Sequence, residues 1–175
     1  PPKDRKGRFG PTFGETVHKA IGYLVLGQAR DADEAVRMAG AQTGLDRNRK
    51  QAVEDVVLAH AALLTEGLLG KPGLSLRVEY PVAHASDGRL LVGYIDLLAA
   101  DGETLHVLDF KTDPPPGGAV EETYPAYVEQ VRTYGRILAT RPHLATMKLR
   151  LGLLFTADGD RKSTRLNSSH VQPSR

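Results

Sequence analysis

The stretch GYIDLLAADGETLHVLDFKTD, Gly93 to Asp113, decides how the chain is read. Its first arm is nearly continuous in apolar residues, its second alternates, and Asp101-Gly102 between them is a tight-turn dipeptide, so the stretch predicts a β-hairpin. On a strand, residues two apart share a face, which sets Asp109 and Lys111 together and turns Phe110 the other way. An antiparallel partner brings Asp96 alongside them. Two carboxylates that close repel unless a cation lies between, and oxygen ligation favours Mg²⁺, with Mn²⁺ a substitute. With Lys111 beside the ion, the group suits a phosphodiester: a metal polarises a phosphoryl oxygen and activates water, and an ammonium stabilises developing charge. The competing reading is a surface salt bridge between Asp109 and Lys111, with Asp96 paired elsewhere.

Working outward, LSLRVEYPV (Leu74–Val82) alternates, RLLVGYIDLLA (Arg89–Ala99) is nearly continuous, and Asp87-Gly88 joins them as a second turn signal. These runs and TLHVLDFKT (Thr104–Thr112) predict a three-stranded antiparallel meander. After the loop DPPPGG, Pro125 suits a first helical turn, and Tyr127, Gln130, Val131, Tyr134 and Leu138 line one side of a helix reaching about Thr140. MKLRLGLLFTADG (Met147–Gly159) reads as a fourth strand. Upstream, Val17, Ile21, Leu24 and Val25 share a helical face with His18 beside them. Asp31 with Glu34 resembles a capped helix start, and Gly44 a stop. Asp46 opens a longer helix in which Val53, Val56, Val57, His60, Leu63 and Leu64 recur up to Gly67–Gly70.

The chain of 175 residues, 41% hydrophobic and 25% charged, has the make-up of one soluble domain with a sizeable core. No membrane span or signal-peptide pattern is visible, which points to the cytoplasm. With no Cys, disulfides, thiolate zinc, iron–sulfur clusters and cysteine nucleophiles are excluded. The net charge of +2 comes from the end of the chain: without Arg161, Lys162, Arg165 and Arg175, 19 basic and 21 acidic residues remain. Residues 160–175 have no periodicity and read as a disordered tail. The run DRKSTRLNSSH there also resembles adapter DNA translated as coding sequence. Residues 1–11, with Lys3, Arg5, Lys6 and Arg8, read as a flexible segment, and a start at Pro1 suggests truncation. Residues 12–159 form one domain without internal repeats.

Asp96, a hairpin, then Asp109-Phe110-Lys111-Thr112 resembles the D…D-x-K core of the PD-(D/E)xK nucleases. Around it, FGETVHKAI resembles the family's G-x-x-V-H helix, VEYPV its E-x-P strand, GYIDLL its G-x-I-D-L strand, LDFKTD its D-Y-K-T-D strand and EQVRTYGRIL its Q-x-x-x-Y helix. Five blocks in order over residues 9–159 resemble the C-terminal nuclease domain of RecB and AddA, the UvrD-like helicase-nucleases of bacteria. The one departure is Phe110, where the family often has Tyr.

The resemblance implies an α/β, restriction-endonuclease-like fold, with a mixed central sheet flanked by helices. It implies His18, Asp96, Asp109 and the Phe110 backbone carbonyl as metal ligands and Lys111 as the catalytic lysine. Gln130 and Tyr134, one turn apart, would bond the lysine region or the DNA backbone; the alternative is an amphipathic helix showing polar tips. Glu79 is an auxiliary candidate that would orient Lys111 or a water, against pairing with Arg77 or solvent. Tyr124 and Tyr127 are candidates for stacking on bases, although tyrosines so placed commonly pack a helix onto a sheet.

The implied activity is a Mg²⁺-dependent exonuclease acting on single-stranded DNA in double-strand break repair and recombination. Its partners would be helicase domains of a longer parent chain and a second helicase-nuclease subunit, in the bacterial cytoplasm. No G-x-x-x-x-G-K-[ST] is present, GLLGKPG having the wrong spacing, so no ATP site lies in this chain. The alternatives are a non-catalytic DNA-binding module of the same fold and a stand-alone endonuclease of a defence system.

Overall fold

In the computed structural model, which describes residues 8–159 and the pair 165–166, the hairpins form as their turn residues require. Strands β1 (Ser75–Ser86), β2 (Arg89–Ala100) and β3 (Thr104–Lys111) run antiparallel in sequence order. Asp87 and Gly88 take φ of 51° and 72°, the paired positive values of a two-residue I′ turn. At the other turn Asp101 Oδ1 accepts from the backbone N–H of Glu103 at 3.0 Å and of Thr104 at 2.8 Å, closing the loop.

Strand β4 (Lys148–Phe155) lies parallel to β3, with Asp109 opposite Leu153. Parallel neighbours need a crossover, supplied here by α4 (Val120–Thr123) and α5 (Pro125–Ala139), the latter with proline in its first turn. A two-residue strand β5 (Arg165–Leu166) pairs with β4 at the sheet edge. The rest of the expected tail, and residues 1–7 with Lys3, Arg5 and Lys6, lie outside the described residues. The sheet is therefore mixed and flanked by helices, the restriction-endonuclease-like α/β fold expected.

Helices α1 (Pro11–Val25), α2 (Ala32–Thr43) and α3 (Arg49–Thr65) cover one face. Phe13, Val17, Ile21, Val56 and Leu63 meet Leu97, Phe110 and Leu154 there. On the other face Val128, Val131 and Leu138 of α5 meet Ile95, Val107, Leu153 and Phe155. Each such side chain contributes roughly 1.5–3 kcal/mol on burial. α5 approaches β4 backbone-close: a Cβ at Gly135 would stand 2.8 Å from a Leu151 methyl.

The α2 cap differs by one residue from the expected reciprocal box. Asp31 accepts from the Glu34 N–H at 2.9 Å, but Glu34 reaches back to the N–H of Arg30 at 2.8 Å, not to that of Asp31. Gly44 ends the helix at φ 79°. The expected α3 stripe mixes two faces: Val56 and Leu63 are buried, Val57 and Leu64 about half exposed. The buried side uses Ala52, Ala59 and Ala62, residues too small to mark a face by hydropathy, and it includes Asp55.

A carboxylate so buried must be paired. Asp55 accepts from both Arg8 guanidinium nitrogens, from Nη1 at 2.8 Å, and from the Thr156 hydroxyl at 2.7 Å. Arg8 Nη1 also donates to the Thr112 carbonyl at 3.0 Å. Arg8 thus leaves the flexible group in which the sequence placed it and ties α3 to the ends of β3 and β4. Among the described residues no helix is long and apolar enough to cross a membrane.

Candidate active site

The site lies where the sheet pattern breaks. Val78 pairs with Leu97 and Tyr80 with Ile95, but Glu79 and Asp96 between them do not pair, and Glu79 takes φ 49°. A positive φ on a non-glycine residue inside a strand marks a local distortion. Here the strands exchange faces. Val78 packs on the α1–α3 side and Tyr80 on the α5 side, while in β2 Leu97 packs on the α1–α3 side and Ile95 on the α5 side. Pairing of β2 with β3 also stops, at Leu97–Leu108. The Phe110 N–H, released from the ladder, donates to Asp96 Oδ2 at 2.7 Å. The Asp96 carboxylate thereby replaces a strand–strand hydrogen bond at the point where β2 parts from β3.

Helix α1 closes over that point. His18 Nδ1 lies 2.9 Å from Asp96 Oδ1, and its ring meets Phe110 edge-on at 6.0 Å. From β3, Asp109 is buried and Lys111 Nζ stands 2.9 Å from its Oδ2. The approach lacks hydrogen-bond geometry, leaving Oδ2 a buried oxygen without a donor. Lys111 Nζ donates instead to Gln130 Oε1 at 3.1 Å and lies 4.0 Å over the Tyr127 ring. Gln130 Nε2 in turn donates to the Tyr134 hydroxyl at 3.1 Å. That hydroxyl sits against Gly93, where a Cβ would come within 2.8 Å of it. Glycine three residues before Asp96 is thus required by the α5 tyrosine that steadies the lysine's partner.

Electrostatics divide the carboxylates. Burial, then the charge of neighbouring Asp96, pushes Asp109 up to about 8 against the partial opposition of Lys111 and His18. Burial opposes ionisation of Asp96 too, but the His18 charge and the hydrogen bonds from Asp109, His18 and the Phe110 N–H hold it well below the usual carboxylate range. Burial would lower His18; the charge and hydrogen bond of Asp96 outweigh it and raise the imidazole. At neutral pH the two aspartates hold one proton between them.

This donor set fits a hard divalent cation. Asp109 Oδ2 is a buried oxygen with no hydrogen-bond donor, and the proton held by the pair is what a cation displaces. Among the described residues no three His, Asp or Glu side chains already converge as a finished metal centre. The Nδ1 of His18 is engaged by Asp96, so ligation by His18 would use Nε2 or exchange that hydrogen bond.

The structure brings together His18, Asp96, Asp109, Phe110, Lys111, Gln130 and Tyr134. A cleft of about 740 Å³ is lined by His18, Asp96 and Lys111 with α1, α5 and the β1–β2 hairpin as walls; Asp109 is buried beneath. Glu79 also lines it, 4.0 Å from Lys19 Nζ, and pairs with neither Lys111 nor Arg77 among the described residues. Tyr124 and Tyr127 stack on each other at 5.2 Å, and their hydroxyls donate to the Pro114 carbonyl and to Asp113. Their rings pack the crossover, and Tyr127 also carries Lys111. Sequence reasoning missed two features: the Tyr127 ring under the ammonium, which has no local signal, and Tyr94, whose place two residues before Asp96 on one strand was the available clue.

A family model described as the PD-(D/E)XK nuclease superfamily matches residues 2–173. No curated protein matches the chain.

Proposed function

The chain belongs to the PD-(D/E)XK nuclease superfamily, and on that footing we propose that it hydrolyses DNA phosphodiester bonds with Mg²⁺, as the exonuclease module of a RecB/AddA-type helicase-nuclease in double-strand break repair. The observation that carries the catalytic part is the gathering of Asp96, Asp109 and Lys111 where β2 and β3 part, with Asp109 Oδ2 buried and lacking a donor. The RecB/AddA placement, and with it helicase partners and DNA ends as substrate, is supported by the order of the five sequence blocks.

Asp96, Asp109, the Phe110 carbonyl and His18 would hold the ion. When bound, it would polarise a phosphoryl oxygen and acidify a water. Lys111 brings an ammonium to the phosphate, where negative charge grows in the transition state. Gln130 and the Tyr127 ring keep that ammonium from collapsing wholly onto Asp109, and Tyr134 keeps Gln130 in its rotamer. Burial beneath the cleft lets Asp109 act without competing water.

The test is incubation of end-labelled single-stranded DNA with Mg²⁺ and the wild type, Asp109→Ala or Lys111→Ala. Products from the wild type alone are expected; equal products from all three sink the assignment. Calorimetric titration with Mn²⁺ should show binding that weakens in Asp96→Ala, and unchanged binding would make Asp96 structural.

A further inference from the structure

We propose that Tyr94 is a stacking platform for an unpaired nucleobase, so that the cleft takes a single-stranded polynucleotide with one base laid on this ring. The proposal rests on the nuclease reading for the position of the scissile phosphate, at Asp96, Asp109 and Lys111. Two tyrosines line the cleft, and their situations are opposite. Tyr127 is committed on every side, to Tyr124, Asp113 and Lys111. Tyr94 is 61% exposed and has neither a hydrogen bond nor a ring contact among the described residues. Its neighbour Ile95 is fully buried, so the backbone that presents the ring is anchored.

Position along the strand fits. Tyr94 and Asp96 are two residues apart, about 6.5 Å, roughly one nucleotide step of an extended strand. The ring also begins a row. Leu90, Val92 and Tyr94 alternate along β2 and are 68%, 61% and 61% exposed. Across the ladder they face Ala85, Ala83 and Pro81. This apolar ribbon on the β1–β2 arm starts at the mouth of the cleft and runs away from it. An exposed apolar strip continuous with a polar, phosphate-sized centre matches a ligand with charged backbone and apolar faces. In a duplex those faces are covered by neighbouring pairs, so only an unpaired base can use the ring.

The experiment measures binding of a hydrolysis-resistant phosphorothioate single strand carrying 2-aminopurine, in Mg²⁺, by anisotropy and by quenching of the probe. Wild type and Tyr94→Phe should bind alike and quench it; Tyr94→Ala should bind roughly tenfold or more weakly and lose the quenching. A blunt duplex of the same sequence should not distinguish the three proteins. On an unmodified single strand, Tyr94→Ala should raise KM and leave kcat close to wild type. Equal single-strand binding and quenching by Tyr94→Ala overturns the proposal, as does an equal loss for strand and duplex, which would mark the ribbon as a protein-docking or structural surface. The two readings fail separately. Tyr94-dependent binding without hydrolysis removes the nuclease and keeps the platform; hydrolysis with Tyr94-independent binding does the reverse.

Discussion

Replacing Asp109 by Asn should stabilise the protein in EDTA at pH 8 and hardly at all at pH 5. The carboxyl is buried beside Asp96 and pushed from its ordinary 3.8 up to about 8. A group whose pKa rises on folding gives stability that is complete below its unfolded value and lost as pH climbs through the folded one. The wild type should therefore lose stability across pH 5 to 8. Asp96 does not offset this, because a depressed carboxyl loses its contribution only on acidification, below that window. His18, raised by Asp96, adds to the loss in the same direction. One proton held in the folded state alone is worth about 1.4 kcal/mol per pH unit, so the three units bound the Asp109 effect at about 4 kcal/mol. Lys111, 2.9 Å away, already acts within that figure, its charge opposing the rise that burial and Asp96 impose. For a chain of this length that bound is about 8–16 °C in Tm. Asn has the shape of the protonated acid and can donate to Asp96, so its profile should be flatter. The assay is calorimetric Tm at intervals from pH 5 to 8 in EDTA, for both proteins. Parallel profiles would refute the shared proton. Added Mn²⁺ should raise the wild-type Tm at pH 8 and leave Asp109→Asn unmoved.

Arg8→Ala leaves the Asp55 carboxylate buried with only the Thr156 hydroxyl, so it should cost about 3 kcal/mol, read as a lower urea midpoint at unchanged m. A smaller loss than about 1 kcal/mol would mean that water replaces the guanidinium. Gly93→Ala drives a methyl into the Tyr134 hydroxyl and should lower kcat at least about tenfold by releasing Gln130. In a Tyr134→Phe background the same substitution should lower the melting temperature less, the hydroxyl at 2.8 Å being gone while ring carbons remain at 3.1 and 3.3 Å. Gln130→Ala frees Lys111 to fall fully onto Asp109, so kcat should drop with little change in single-strand binding; a pure KM effect would argue that Gln130 contacts DNA instead.

Much of the architecture was legible because it is encoded locally. Asp87-Gly88 and Asp101-Gly102 are turn residues whose conformational preferences act within four residues, and the periods of two and 3.6 on either side report which face each element buries. Asp31, Gly44 and Pro125 mark helix ends for the same reason. What misled was composition without position. Arg8 sits among lysines and arginines that suggest a solvated segment, and only the buried Asp55, 47 residues away, shows what it is for. Tyr124 and Tyr127, by contrast, read as base-stacking candidates that more commonly pack a helix onto a sheet, and the crossover packing uses both.

By itself the sequence determined the meander, the crossover helix, the fourth strand and the proximity of Asp109 to Lys111, since each follows from backbone propensity and side-chain alternation over a few residues. Tertiary structure decided the rest. The face exchange at Glu79 and Asp96, the proton held between the two aspartates, the Gln130 and Tyr127 supports of Lys111 and the bare ring of Tyr94 all depend on burial and on contacts between distant segments. Local periodicity carries the face of an element; it does not carry where two strands stop pairing, and at that interruption the charged groups of this chain meet.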